Sequence, residues 1–337
     1  MKFLIAGYGS IGRRHMNNLI ALGEKDVLLL RSHKSTLPVS EIAEIPVETT
    51  IESALAHHPD AVIIANPTSL HLDVAIPAAR AGCAILMEKP ISHSMERVQE
   101  LKQALREGGG GFLTGFQYRF HPGLRQVKQW LMEGRIGRVT TVKSHWGEYM
   151  PGWHPWEDYR LSYSARADLG GGVVNTLCHP FDYLRWLFGE VSQLYAHTSN
   201  GGLNLEVEDT ADVLLQFEDG LTTNVHLDYL QRPAQHDLMI IGTTGSIYWD
   251  NASGIAKYYD TGEEKWHEVQ PPASFERNHL FMDEMAHFLR VARKEEMPIC
   301  TLGDGVTALQ ITEAVHRSAR EGGVQELVTT EDSEREP

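Results

Sequence analysis

Within its first dozen residues the chain reads Phe3-Leu4-Ile5-Ala6, then Gly7-Tyr8-Gly9-Ser10-Ile11-Gly12. A short apolar run, a G-x-G-x-x-G turn and a helical pattern from Ile11 to Leu22 leave few folds open. One glycine permits a tight bend, the next lets the backbone approach a pyrophosphate, and the third lets the helix pack close to the strand. The start of that helix offers free N–H groups and a partial positive charge to an anion. A glycine-rich turn with no ligand is the plainer alternative, and the strand–turn–helix context speaks against it. Gly7, Gly9, Ser10, Ile11 and Gly12 are the first cofactor-binding candidates.

The alternation continues. Val27–Leu30, Ala61–Ala65, Ala84–Met87 and Phe112–Phe116 read as buried strands, with helical patterns over Ile51–His57, Leu70–Ala81 and Met95–Arg106. Continuous apolar strands separated by helices predict a doubly wound parallel sheet, an α/β Rossmann domain. After about residue 118 the rhythm changes. Helices are predicted over Pro122–Met132 and Val173–Phe188, and a strand over Arg138–His145. Strands follow over Gln193–Thr198, Asp209–Phe217, Leu221–Tyr229, Asp237–Ile241 and Ser246–Trp249, with turns at Glu218-Asp219-Gly220 and Gly242–Gly245. This predicts an α+β domain with a largely antiparallel sheet, followed by helices over Glu276–Arg293 and Gly305–Arg320.

Composition narrows the partners. Thirty Lys and Arg against 45 Asp and Glu give a net charge of −15, with no basic block, so no nucleic-acid partner is expected. No apolar run approaches the ~20 residues of a membrane span, and no secretory leader is expected. Cys83, Cys178 and Cys300 are widely spaced, which fits a reducing cytoplasmic setting. Seventeen histidines invite a metal reading, but none pairs with His, Cys or a carboxylate at a usual zinc spacing, and no metal is expected.

The residues after the second strand select the nucleotide. An Asp or Glu there would accept hydrogen bonds from a ribose 2′-OH. This chain has Arg31-Ser32-His33-Lys34, with Arg31, Ser32 and Lys34 suited to a 2′-phosphate, so NADP is favoured over NAD. Asn66-Pro67 and Glu88-Lys89-Pro90 end two further strands, and ligands of open parallel sheets bind beyond such ends.

Taken together, Gly7-x-Gly9-x-x-Gly12, Glu88-Lys89-Pro90, Gly115-Phe116-Gln117-Tyr118-Arg119-Phe120, Gly170-Gly171-Gly172 and His179 make the chain resemble the Gfo/Idh/MocA family of sugar and cyclitol oxidoreductases over nearly its whole length. The resemblance implies a Rossmann domain, an α+β domain with an open-faced sheet, and a late helix that returns to the nucleotide domain. It implies hydride transfer at a hydroxyl-bearing carbon of a sugar, cyclitol or nucleotide-activated sugar. Lys89 then lies near the nicotinamide, and Asn66, Pro67, His71, Glu88 and Gln117 join the cofactor-binding set. His179 is the acid/base candidate beside Lys89, and Asp182 is placed to orient its imidazole. Asn175 stands where relatives commonly carry Asp, and an amide orients a hydroxyl without taking its proton at neutral pH. Trp153, Tyr159 and Arg160, in a long aromatic segment, complete the substrate-binding candidates with Lys89, Asn175 and His179.

The expected division is 1–118 nucleotide domain, 119–300 substrate and oligomerisation domain, 301–325 returning helix and 326–337 acidic tail. An apolar sheet face predicts a homodimer or homotetramer. Two other functions stay open at this level: a dinucleotide-binding sensor without catalysis, and a redox-cycling lyase or isomerase.

Overall fold

The computed structural model describes residues 1–32, 42 and 44–327. His33, Lys34 and the tail from 328 lie outside the described residues. The described residues form two compact units: those within 1–117, 168–170 and 277–309, and those within 118–167, 171–276 and 310–327.

In the first unit β1 (Lys2–Ala6), β2 (Asp26–Leu30), β3 (Val47–Glu48), β4 (Ala61–Ile64), β5 (Ala84–Glu88) and β6 (Phe112–Gly115) form one parallel sheet in the order β3-β2-β1-β4-β5-β6. That order is the doubly wound one, reversing at β1 and β4. The runs Phe3–Ala6, Val27–Leu30, Ala61–Ile64 and Ala84–Met87 within these strands are apolar because helices cover both faces. Between them run α1 (Ser10–Ala21), α2 (Ile51–Leu55), α3 (His71–Arg80) and α4 (Val98–Gly108). Leu4, Val62, Ile64, Ile85 and Met87 of the sheet share a core with Leu72, Ala75 and Ile76 of α3 and Leu101 of α4.

The second unit begins with α5 (Pro122–Met132), where Pro122 sits in the first turn and His121 Nδ1 accepts the Gly123 N–H. Then come β7 (Val139–Gly147), α6 (Val173–Thr176), α7 (His179–Phe188), β8 (Val191–Ser199), β9 (Thr210–Phe217), β10 (Thr222–Asp228), β11 (Gln235–Gly242), β12 (Gly245–Asp250), β13 (Ala256–Asp260) and β14 (Lys265–Val269). With β15 (Gln325–Glu326) they form a nine-stranded sheet in the order β14-β13-β12-β11-β7-β10-β9-β8-β15, antiparallel except for the β7–β10 pair. β9 alternates buried Ala211, Val213, Leu215 and Phe217 with exposed Asp212 and Leu214, so among the described residues one face is packed and the other uncovered.

The helix predicted across Val173–Phe188 is two helices. It breaks at Leu177-Cys178 because Pro180, in the first turn of α7, supplies no N–H to bond back into α6. Asn175 and His179 therefore lie on separate helices. β13 and β14 escaped prediction: Lys265–Val269 is largely exposed and shows no apolar face. Finally, α8 (Arg277–Ala292) packs on α1, β5 and β6 of the first unit. In α9 (Leu302–Glu321), Val306 and Leu309 enter that unit's core.

Candidate active site

The glycines of the nucleotide turn are required for two different reasons. Gly7 has φ +95°, and a Cβ there would sit 2.6 Å from Ala65 O and from the Asn66 backbone. A Cβ on Gly12 would collide with Gly7 O. The protein's own packing thus accounts for both. Gly9 differs: it begins α1 with φ −98°, and a Cβ there would meet nothing within 4 Å. No side chain caps the helix start, and its first turn holds no acid. Open space beside uncapped N–H groups fits a pyrophosphate.

Arg31, just past β2, is 5% exposed, and its guanidinium lies 5.8 Å from the Tyr8 ring. Among the described residues its Nε and Nη1 meet no hydrogen-bond partner. Buried guanidinium donors with no partner are costly, and an anion brought by a ligand would offset that cost. Ser32 is exposed. These features fit a dinucleotide with an anionic group near Arg31.

At the next strand end, Asn66 Nδ2 donates to Leu70 O at 3.1 Å, while its buried Oδ1 meets no partner among the described residues. His71 is spent on structure: its ring nitrogens face Pro90 O at 3.0 Å and Asn66 O at 2.9 Å, which ties the Asn66 and Lys89 turns together. Burial lowers its pKa despite those carbonyls. Lys89 is half-buried beside buried Glu88, and Gln117 is buried at the end of the unit.

Glu88 belongs to a buried cluster that sequence reasoning missed. His15 Nε2 meets Glu88 Oε1 at 2.8 Å, and Glu284 of α8 brings a second carboxyl; one ligand-type atom from each lies within 4.8 Å of the others. Burial pushes Glu88 up, but His15 and the neighbouring Lys89 and His71 hold it below the ordinary carboxylate range. Glu284 goes the other way: burial first, then the Glu88 charge, raises it far above that range, and neither oxygen meets a partner among the described residues. One signal was available in the sequence. On α8, Glu284 shares the helical stripe of Leu280, Phe281, Met285 and Phe288, and an acid on an apolar stripe is out of place.

In the second unit His179 opens α7 and is almost fully buried. Its ring stacks on Trp146 (centroids 5.5 Å apart) and meets Tyr118 edge-on at 4.9 Å. Behind it, Trp146 lies parallel to His236 at 4.1 Å, and Tyr183 shares its hydroxyl with Ser144 at 2.6 Å. Asp182 forms a bidentate buried ion pair with Arg119, at 2.6 and 3.0 Å. Asn175 is buried and donates to Gly171 O at 3.3 Å. The aromatic segment folds into four short 3-10 turns. Trp153 packs edge-on to Tyr229 at 5.4 Å, and the Tyr159 hydroxyl donates to Leu203 O at 3.4 Å. Arg160 is exposed, over the Tyr159 ring and beside Asp158.

Residues 1–116 match the oxidoreductase family with an NAD-binding Rossmann fold, and residues 124–248 match the GFO/IDH/MocA C-terminal domain. The chain belongs to the Gfo/Idh/MocA family. A scyllo-inositol 2-dehydrogenase (NAD(+)) of Bacillus subtilis is 27% identical over 94% of both chains. A D-xylose 1-dehydrogenase (NADP(+)) of Haloferax volcanii is 24% identical over 97% of this chain and all of the relative. The solved structure of a levoglucosan dehydrogenase in complex with NADH superposes with a TM-score of 0.86 at 19% identity, covering 98% of this chain and 99% of the other, a likeness of fold. The chain is thus an oxidoreductase of the Gfo/Idh/MocA family with a Rossmann nucleotide domain. None of its described helices is long and apolar enough to cross a membrane.

Proposed function

We propose that the chain is an NADP-preferring enzyme that moves a hydride between the nicotinamide and a hydroxyl-bearing carbon of a sugar or cyclitol. The observation that carries this reading is the space at Gly9, where the fold itself has no use for a missing side chain. Family membership and the polyhydroxylated compounds in the relatives' names support the substrate class. The buried Nε and Nη1 of Arg31, which meet no partner among the described residues, support NADP.

A bound nicotinamide gives or takes the hydride; this chain's residues do the rest. Lys89 hydrogen-bonds the reacting oxygen through its ammonium group and exchanges the proton there. His179, wedged among Trp146 and Tyr118, is the second proton-transfer candidate, its ring direction fixed by the aromatic contacts. Asn175 orients a hydroxyl through its amide. Trp153 and Tyr159 offer apolar ring faces that suit sugar C–H groups, and Arg160 donates to hydroxyls.

Lys89→Ala tests this directly. Turnover over a panel of polyols is expected to fall by ~10²–10⁴-fold, with nucleotide affinity changed only a few-fold. Turnover at the unsubstituted level would contradict the proposal.

A further inference from the structure

The uncovered face of the nine-stranded sheet carries a polar row in register across three strands. His226 of β10 lies opposite Asp212 of β9 on one side and His145 of β7 on the other. Asp228, two residues beyond His226, shares that face by the period-two alternation of strands and lies opposite Gly147.

The two imidazoles stack with centroids 4.8 Å apart. One ring nitrogen from each and one Asp228 oxygen all lie within 4.8 Å of one another. His226 Nδ1 meets Asp212 Oδ1 at 2.7 Å, while its Nε2 faces Asp228 Oδ2 at 3.3 Å. His145 Nε2 meets Gln231 Oε1 at 2.5 Å. Asp228 is locked in direction, because its Oδ1 accepts the backbone N–H groups of Leu230 at 2.7 Å and Gln231 at 2.6 Å. A Cβ on Gly147 would collide with both Asp228 Oδ2 and Gln231 Oε1, so glycine leaves room for those oxygens to converge.

We propose that His145, His226 and Asp228, with Gln231 as an adjacent fourth donor, form a binding site for a zinc-type transition-metal dication. Two imidazoles and a carboxylate are the donor set that zinc, nickel and copper favour, whereas magnesium demands more oxygens. The outer partner is also in place. Asp212 Oδ1 lies 2.7 Å from His226 Nδ1, placed to accept its N–H when Nε2 binds a metal, the arrangement that metal-ligating histidines carry almost always. The ligands come from two strands far apart in sequence, which is why no zinc spacing is visible along the chain.

The test is calorimetric titration of the full chain, stripped with EDTA, with Zn²⁺ alone. One saturable equivalent is expected, and Mg²⁺ should give no saturable heat. His226→Ala, Asp228→Asn and Asp212→Asn should each weaken Zn²⁺ binding by roughly 10–100-fold. Asp212 is exposed, so Asp212→Asn carries the test even if another variant fails to fold. Absence of saturable Zn²⁺ binding would overturn the proposal. So would unchanged affinity in both Asp212→Asn and the folded ligand variants, which would place the ion elsewhere among the 17 histidines.

Discussion

Arg31 is the residue on which the choice of dinucleotide turns. Its guanidinium is buried, and Nε and Nη1 meet no partner among the described residues, so a ligand anion there gains a charge-assisted hydrogen bond that NAD cannot supply. At about 1.5–3 kcal/mol for a hydrogen bond to a charged group, Arg31→Ala should weaken NADP binding by roughly 10–100-fold. NAD binding should stay within a few-fold, as fluorescence titration of both reduced cofactors would show; an equal loss for both would contradict the assignment. Arg31 was legible because its type and its place after an apolar strand could be read together. His15, Glu88 and Glu284 were not, since three elements meet there and linear spacing carries no trace of it.

Among the elements, those with a strong period or an uninterrupted apolar run were read well. Pro122–Met132 is a helix with the predicted bounds, and Phe3–Ala6, Ala61–Ile64 and Ala84–Met87 lie in strands buried on both faces. The misreadings have physical causes: Pro180 splits a helix that periodicity joins, and the polar surface of β14 hides a strand. Glu208 shows how the short α6 is anchored, with its backbone O and Oε1 accepting the N–H groups of Val173 at 3.0 Å and Val174 at 3.1 Å. Burial raises the Glu208 carboxyl to about 7, against the Val174 hydrogen bond and with help from Asp209. A raised carboxyl favours the folded state while protonated. That contribution is present below about 4.5, the unfolded value, and is lost as pH rises through about 7. The loss is on the order of 2 kcal/mol after allowance for partial exposure. Glu208→Gln should therefore show a flatter dependence of Tm on pH between 4.5 and 7 than the unsubstituted chain. Parallel pH profiles of the two proteins would contradict this.

For the whole molecule, the change of rhythm near residue 118 announced a parallel sheet followed by a largely antiparallel one, because burial on two faces and on one face leave different sequence patterns. What the pattern could not carry was cross-strand register, which brings His145 and His226 side by side and sets Trp146 against His236. The central claim is that the first unit is shaped around a dinucleotide, and Gly9 isolates it from stability. Gly7 and Gly12 are fixed by the chain's own backbone, whereas a Cβ at Gly9 meets no atom of the described residues within 4 Å. The decisive measurement is nucleotide titration of Gly9→Val alongside its melting temperature. The account predicts a Tm within about 2 °C of the unsubstituted chain, because such a surface change is worth under roughly 0.5 kcal/mol, and loss of most NADP and NAD affinity. A Gly9→Val chain that folds normally and binds both dinucleotides undiminished would contradict it.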